Sequence, residues 1–209
     1  MPRDGHLTLA GFLLLTVGMF ARQPYQQSSQ TSGQRTFRSP DAVSQFTYPS
    51  SYALYTGNEA DHLNYMPVCQ SAVACVLYPR EKFAETNFEA ASFQEREIDN
   101  ATTDKTCLTP PMRAENVPEF DIPAKDPRRV INGVSFLHGR SYEGGLGHGM
   151  GTDLYRAFHK SRCYELSINV ATVSIGSFDP GAMKEFTRED EQGVRNELTT
   201  ILDSFRFLK

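Results

Sequence analysis

The feature that most constrains the fold is a set of three strand-like segments in the second half of the chain. They span residues 134–143, 152–158 and 163–173, and turn-like segments at residues 144–147 and 159–162 separate them. Short strands joined in this way pair as an antiparallel meander. In the last segment apolar and polar side chains alternate, which predicts a half-buried sheet with one face toward the core.

Other segments add strands around this meander. Residues 72–78 form a compact apolar run that ends at a proline, as expected of a strand buried on both faces. Residues 44–48 and 52–55 flank a Pro-Ser-Ser sequence and predict a short hairpin or a bent strand. β-Propensity favours another strand over residues 88–98, whereas five prolines exclude regular structure from most of residues 107–129.

The C-terminal region carries the clearest helix signal. Thr187 is a suitable N-cap, and the acidic residues 189–191 suit the positive end of the helix dipole. Apolar residues follow at intervals of three and four: Val194, Leu198, Ile201, Leu202 and Phe205. Because this spacing gives the helix one apolar face, we expect it to pack on the sheet. Residues 205–207 alternate as a strand does, which predicts an edge strand after the helix.

Three of these features together resemble a known group of domains. Residues 46–52 read Phe-Thr-Tyr-Pro-Ser-Ser-Tyr, the meander follows, and the helix runs into Ile-Leu-Asp-Ser-Phe-Arg-Phe at residues 201–207. This arrangement is similar to the exported small domains of the Mog1/PsbP-like group, although Tyr52 stands where such domains often carry tryptophan. The resemblance implies an α+β fold, an α/β/α sandwich around an antiparallel sheet. It also implies a binding or accessory role instead of catalysis, with no family catalytic residues to transfer.

The N-terminus predicts export. Its apolar run, residues 7–21, is shorter than the roughly twenty residues that cross a bilayer as a helix. We therefore interpret residues 1–21 as a cleaved signal peptide, with an uncleaved anchor as the alternative and as the one expected membrane contact. Residues 22–42 are rich in Gln and Ser and predict a disordered linker. This leaves residues 43–209 as a single α/β domain, secreted or periplasmic.

All four cysteines lie in this exported part: Cys69, Cys75, Cys107 and Cys163. An even number of cysteines in an oxidising compartment predicts disulfides, and four allow three connectivities. We favour a Cys69–Cys75 bridge, because so short a spacer closes a loop at low entropic cost. Cys107 would then hold the proline-rich strap, residues 109–129, against the meander at Cys163. A structural zinc site is the alternative, but no Cys-x-x-Cys pair supports it.

Several classes of ligand are disfavoured by the sequence. The formal net charge of −4 argues against nonspecific nucleic-acid binding, which needs a basic surface. The glycine-rich segment after the first meander strand lacks the Lys-Ser/Thr of a phosphate-binding loop, so we expect no nucleotide cofactor. A hairpin centred on Gly145 would place His148 opposite Tyr142. The same register would place His138 opposite Thr152, several residues away, so we expect no metal site.

We expect a partner to bind at the glycine-rich turn, residues 143–151. Bare backbone in this turn lets a partner approach closely. Tyr142, His148 and Met150 offer contact area and hydrogen-bonding groups beside it. The proline-rich strap would form the opposite wall of this surface. The partner is expected to be a protein or a component of the cell envelope.

These observations predict an exported, disulfide-stabilised, non-catalytic binding or accessory domain. The alternative is an exported enzyme, such as a hydrolase, with a site around the meander. A pocket that holds His138 or His148 beside a buried acid would favour the enzyme. An apolar or aromatic groove without converging polar groups would favour binding.

Overall fold

Strands dominate the part of the chain that the structure describes. In this computed structural model, residues 33–57, 69, 71–111 and 119–209 are described. The strands are β1 (Gln34–Arg38), β2 (Ser44–Pro49), β3 (Ala53–Thr56), β4 (Ala74–Leu77), β5 (Phe88–Glu97), β6 (Arg128–Ile131), β7 (Val134–Gly145), β8 (His148–His159), β9 (Arg162–Val173) and β10 (Arg206–Phe207). The α-helices are α1 (Asp104–Leu108) and α2 (Arg188–Ser204).

The strands form two antiparallel sheets. The large sheet has the order β3-β4-β5-β9-β8-β7-β6, and the small sheet has the order β1-β2-β10. This confirms the predicted α+β class, an antiparallel sheet with packed helices, and the meander is β7-β8-β9. Pro49 ends β2 in the small sheet and Ala53 begins β3 in the large one. The chain therefore crosses between sheets here, and the hairpin considered for residues 44–55 is wrong.

Three hairpins, β6–β7, β7–β8 and β8–β9, each turn through two residues. Positive φ angles occur at both turn residues of Asn132-Gly133, Leu146-Gly147 and Lys160-Ser161. This is the type I′ turn, whose twist matches that of paired strands. Because the turn between β7 and β8 is so tight, Gly145 pairs with His148. The predicted register is therefore wrong: Tyr142 lies opposite Gly151, and His138 lies opposite Tyr155.

Helix α2 and the small sheet together cover one face of the large sheet. We call this face of the large sheet the helix face. The hydroxyl of Thr187 accepts a hydrogen bond from the Asp190 N–H at 3.1 Å, and the Asp190 carboxylate accepts one from the Thr187 N–H at 2.9 Å. This reciprocal capping box starts the helix where the sequence predicts. Four apolar side chains of α2 are buried against the sheet: Val194, Leu198, Ile201 and Leu202.

The opposite face of the large sheet is also buried, so the prediction of a half-buried sheet is wrong. Helix α1 and the end of the strap cover it, and we call it the strap face. Glu165 on this face is only 2% exposed and pairs with the guanidinium groups of Arg96 and Arg156. Arg156 lies 4.6 Å from the ring centroid of Phe120 in the strap. Gly139 permits this packing, because a Cβ there would lie 2.4 Å from the Phe120 ring.

The N-terminal boundary of the domain differs from the prediction. Strand β1 lies inside the segment predicted as a disordered linker and pairs with β2, with Phe37 opposite Phe46. Both rings are buried in the core. The linker prediction is therefore wrong for residues 33–42. Residues 1–32, with the predicted signal peptide and the first part of the linker, lie outside the described residues.

The structure contains both favoured disulfides. Cys69 is bonded to Cys75, and Cys107 is bonded to Cys163. The second bridge attaches α1 to the first residues of β9, which holds the start of the strap against the strap face as predicted. Among the residues described, no helix combines the length and the apolar character needed to cross a bilayer.

Candidate functional site

A cleft on the helix face lies between β6, the strap and the β7–β8 hairpin. Its volume is about 630 Å³, and we call it the basic cleft. It is lined by Pro123, Lys125, Asp126, Arg128, Arg129, His138, Arg140, Asp153 and Tyr155. An adjoining cleft of about 520 Å³ shares Arg140 and Asp153 with it and continues toward α2 and the glycine-rich turn.

The period of two in the strands places the cleft side chains on one face. His138 and Arg140 alternate along β7, and their partners on β8 are Tyr155 and Asp153. Side chains two residues apart share a face of a sheet, so these four lie together. The backbone of Asp121 pairs with that of Arg140 through two N–H to carbonyl bonds of 2.7 Å. This pairing fixes the strap along the rim of the cleft.

Asp153 organises the floor where the two clefts meet. Its carboxylate accepts hydrogen bonds from His138 Nε2 at 3.1 Å, Arg140 Nε at 3.0 Å and Arg195 Nη1 at 2.9 Å. Burial alone would raise the pKa of Asp153, but the His138 hydrogen bond and the two guanidinium charges hold that pKa below its ordinary value. Asp153 is therefore an anion that positions three cationic or hydrogen-bonding side chains.

Arg195 reaches Asp153 from α2 because the strand below it carries a glycine. A Cβ at position 151 would lie 2.8 Å from Arg195 Nη2. With Gly151 in place, Nη2 donates to the Gly151 carbonyl at 3.2 Å. The helix and β8 are thus connected through one guanidinium group at the base of the adjoining cleft.

An aromatic platform lines the lower part of the basic cleft. The imidazole of His138 stacks on the ring of Tyr155, with 4.8 Å between centroids and 8° between planes. The guanidinium of Arg129 lies 5.9 Å from the Tyr155 centroid and pairs with Asp203 at the end of α2. Burial, followed by the charge of Asp153, raises the pKa of Tyr155. The phenol therefore stays neutral and gives the cleft a flat wall with one polar tip.

The cleft is locally positive, although the whole chain carries a net charge of −4. Four basic and two acidic side chains line it. Lys125 and Arg128 are exposed, and neither has an ion-pair partner within the described segments. Arg140 uses Nε for Asp153, and its side chain is 66% exposed. Three basic groups are thus accessible at one place.

The structure separates the three residues predicted to bind a partner. Tyr142 is exposed and lines the adjoining cleft together with the strap residue Asp121. Gly151 lies opposite Tyr142 and therefore on the same face of the sheet. His148 and Met150 stand three positions and one position before Gly151 along β8, so their side chains lie on the opposite, strap face. His148 Nδ1 lies 2.9 Å from Glu89 Oε2, and Met150 is buried against Ala171. Tyr142 and the strap residue Asp121 thus line one cleft, whereas His148 and Met150 line neither of the two.

One feature that would favour an enzyme is present, since His138 lies beside the largely buried Asp153. Of the residues that the structure describes, however, no serine, threonine or cysteine lines the basic cleft, and Ser141, Thr152 and Thr199 line only the adjoining one. Nucleophilic hydrolysis by a His-Asp pair needs such a group next to the imidazole. Nor do the described residues contain a group of three or more His, Cys, Asp or Glu side chains placed to hold a metal ion. The arrangement is suited to holding an anion.

The sequence carries a signal for this cleft within the strap. Residues 125–129 read Lys-Asp-Pro-Arg-Arg, a concentration of charge inside the proline-rich strap. These charged residues, together with His138 and Arg140 on one strand and Asp153 on the next, indicate a charged rim around the cleft. Arginine and lysine residues, more than glycines, therefore mark the lining of this cleft in the sequence.

No family model matches the chain, and neither does any curated protein. A crystal structure of a protein from Bacteroides thetaiotaomicron VPI-5482 is similar at 11% identity and a TM-score of 0.40, and it covers 83% of this chain. The match spans 48% of that protein, so this chain corresponds to about half its length.

Two further solved structures are similar over almost their whole lengths. The crystal structure of LpqN, involved in cell envelope biogenesis of Mycobacterium tuberculosis, is 11% identical with a TM-score of 0.43, covering 84% of this chain and 91% of its own. The solution structure of cyanobacterial PsbP (CyanoP) from Synechocystis sp. PCC 6803 is 10% identical with a TM-score of 0.45, covering 88% and 98%. PsbP gives its name to the group that the sequence resembles.

Proposed function

We propose that this protein is a non-catalytic binding domain that acts outside the cytosol and holds an acidic ligand in the basic cleft. The observation that carries the proposal is that the exposed cations Lys125, Arg128 and Arg140 all border one cleft. The nearby carboxylate of Asp153 is already satisfied by three donors, so it does not neutralise all of these charges. Carboxylate and phosphate groups are the anions that such a set of donors binds.

Preorganisation supports this function. The hydrogen bond from Arg140 Nε to Asp153 fixes the guanidinium plane and leaves its terminal nitrogens available to a ligand. A guanidinium held in this way loses less side-chain freedom on binding than a free one does. Because the cations are exposed, their attraction to an anion is screened by salt. We therefore expect the affinity to fall as ionic strength rises.

The location outside the cytosol is supported by the covalent structure. Both disulfides join cysteines that are buried in the described structure. Structural disulfides of this kind are typical of secreted, periplasmic and other oxidising environments. The predicted signal peptide supports the same location. Export is tested by fractionating cells that express the full chain and measuring whether the protein and its disulfides occur outside the cytosol.

Binding is tested by titrating the purified protein with citrate and with pentaglutamate at low and at physiological salt. The Lys125→Ala/Arg128→Ala double variant removes two cleft charges. Its matched control, Arg35→Ala/Arg80→Ala, removes two exposed cations elsewhere and changes the net charge equally. We expect the cleft variant to lose about tenfold or more in affinity, equivalent to about 1.4 kcal/mol. Equal losses in both variants, or no binding of either probe, would contradict the proposal.

A second candidate is an exported hydrolase, and the His138–Asp153 hydrogen bond is the observation that favours it. The carboxylate would orient the imidazole, which would then act as a general base on water. Ester and phosphodiester substrates test this in parallel with the binding measurements. Turnover that His138→Asn abolishes would favour the enzyme over the binding domain.

A further inference from the structure

Strand β6 leaves a row of backbone groups unpaired at the edge of the large sheet. It pairs with β7 alone, with Ile131 opposite Val134 across the two-residue turn. In such a hairpin the closing pair exchanges hydrogen bonds, and every second pair along the ladder does the same. The backbone of Arg129 therefore faces β7. The N–H and carbonyl groups of Arg128 and Val130 point away from the sheet.

A backbone hydrogen bond just before β6 supports this assignment. His138 N–H donates to the Pro127 carbonyl at 2.9 Å, which continues the same alternation by one more step. Val130 is 70% exposed, and among the described residues no backbone group bonds to the N–H or carbonyl of Arg128 or Val130 on this edge. Natural edge strands are usually blunted, because unpaired backbone groups are a template for another strand. Here the edge is short, but an apolar β-branched side chain stands on it.

The open edge adjoins the basic cleft. Arg129 of β6 lines the cleft with Lys125 and Arg140, whereas Arg128 borders it from the face that carries Val130, because Arg128 lies opposite Leu137. A strand added to β6 would run about 4.8 Å away from it, alongside these cations. Its side chains would alternate, so that every second one lies on the same face as Arg129. The others would lie on the face that carries Val130.

From this juxtaposition we propose that an extended segment of a partner protein, with acidic and apolar residues in alternation, adds to β6 as a further strand. The inference rests on the proposed function of the cleft and names its ligand as a peptide. Carboxylates on one face of the segment meet the cleft cations, and apolar side chains on the other face pack beside Val130. A row of N–H and carbonyl groups at a sheet edge matches the spacing of another extended backbone, which favours a peptide over small anions.

Charge complementarity also argues against the chain's own linker as the occupant. Residues 22–32 contain Arg22 and no acidic residue. This segment would bring a positive charge to a positive cleft. A second copy of the chain could pair β6 with β6, but it would place Arg128 and Arg129 of the two copies near each other. A separate partner with acidic residues satisfies both the backbone and the charge.

The test uses the fluorescently labelled peptide acetyl-Glu-Val-Glu-Val-Glu-Val-amide. Two matched copies carry N-methyl groups on alternate backbone nitrogens. One copy is blocked on one edge and the second copy on the other edge, and both keep all charges. We expect the unmodified peptide to bind, and one methylated copy to bind about tenfold more weakly or worse, because it loses the hydrogen bonds to β6. Amide exchange at Arg128 and Val130 should slow when the unmodified peptide is bound.

Two variants separate the edge from the cleft. Val130→Pro removes an outward N–H without removing a bond to β7, and it should weaken peptide binding about tenfold while leaving citrate binding unchanged. Val130→Thr keeps the N–H and is the matched control. The exchange measurement on the wild-type protein decides the question even if the proline variant does not fold.

Three outcomes would overturn the inference, and they differ from failure of the proposed function. If all three peptides bind equally, the cleft binds acids without strand addition. If the peptide does not bind while citrate does, the ligand is not an extended peptide. If sedimentation shows a dimer that Val130→Pro dissociates, β6 pairs with a second copy. If neither peptide nor citrate binds, the proposed function itself fails.

Discussion

The carboxyl group of Glu95 is buried between the two sheets, and it makes stability depend on pH. Glu95 lies on β5 and is 1% exposed. Oε1 accepts a hydrogen bond from the Ser44 hydroxyl of β2 at 2.5 Å, and Oε2 has no hydrogen-bond partner among the residues that the structure describes. Burial, with a small contribution from Asp41, raises the pKa of Glu95 from 4.5 to about 7, although the Ser44 hydrogen bond opposes the rise.

The raised pKa fixes the sign of the effect. Between pH 4.5 and about 7 the folded protein keeps the Glu95 proton while the unfolded chain releases it. The free energy of unfolding therefore falls as pH rises through this range. With each pH unit worth about 1.4 kcal/mol, ionisation of Glu95 destabilises the folded state by about 3 kcal/mol above neutral pH.

Replacement of Glu95 by glutamine removes this ionisation. We expect Glu95→Gln to gain about 3 kcal/mol over the wild-type protein between about pH 5 and about pH 8. Urea denaturation at both pH values measures this change, and the comparison cancels the other titrating groups. The change between the two pH values is the readout, since any cost of the buried amide is the same at both. Parallel pH profiles for the two proteins would refute the reasoning.

Three further substitutions test the fold. Leu198→Ala should lower the free energy of unfolding by about 2 to 5 kcal/mol in chemical denaturation, because Leu198 is fully buried on the inner side of α2. A loss below about 0.5 kcal/mol would mean that the helix does not pack as described. Leu146→Asn should stabilise by about 1 kcal/mol, since Leu146 is fully exposed with φ of 51°. Replacing both Cys107 and Cys163 by alanine should lower the free energy of unfolding by about 4 kcal/mol, and replacing Cys69 and Cys75 should lower it by about 2 kcal/mol. The Cys107–Cys163 bridge has the larger effect because it closes the longer loop. Equal losses for the two bridges would count against loop entropy as the cause.

The meander and α2 could be predicted because their signals are local. Alternation marks β9, and a cap with regular apolar spacing marks α2. Strand β1 could not be predicted in this way. Phe37 is an isolated apolar residue in a polar segment, and it becomes part of a strand by pairing with Phe46. Such a strand forms through tertiary contacts, so composition alone indicated a linker.

The burial of the strap face was missed for a related reason. Glu165 reads as a surface residue, but two arginines from neighbouring strands pair with it under the strap. The cleft depends on the register of the β7–β8 hairpin, which a two-residue turn at Leu146 sets. Leucine is unfavourable in the left-handed region, so the surrounding glycines pointed to a different turn centre. A shift in register changes which side chains meet.

The small sheet joins residues that are far apart in the order of synthesis. Gln45 in β2 pairs with Arg38 on one side and with Arg206 on the other. The first of these pairings is available as soon as the early residues leave the ribosome. The second must wait until residues 206–207 have been made, so β2 has an open edge until then. Contacts this distant in sequence are slow to form. The small sheet is thus completed only after residues 206–207 have been synthesised, and until then β2 depends on β1 for its pairing.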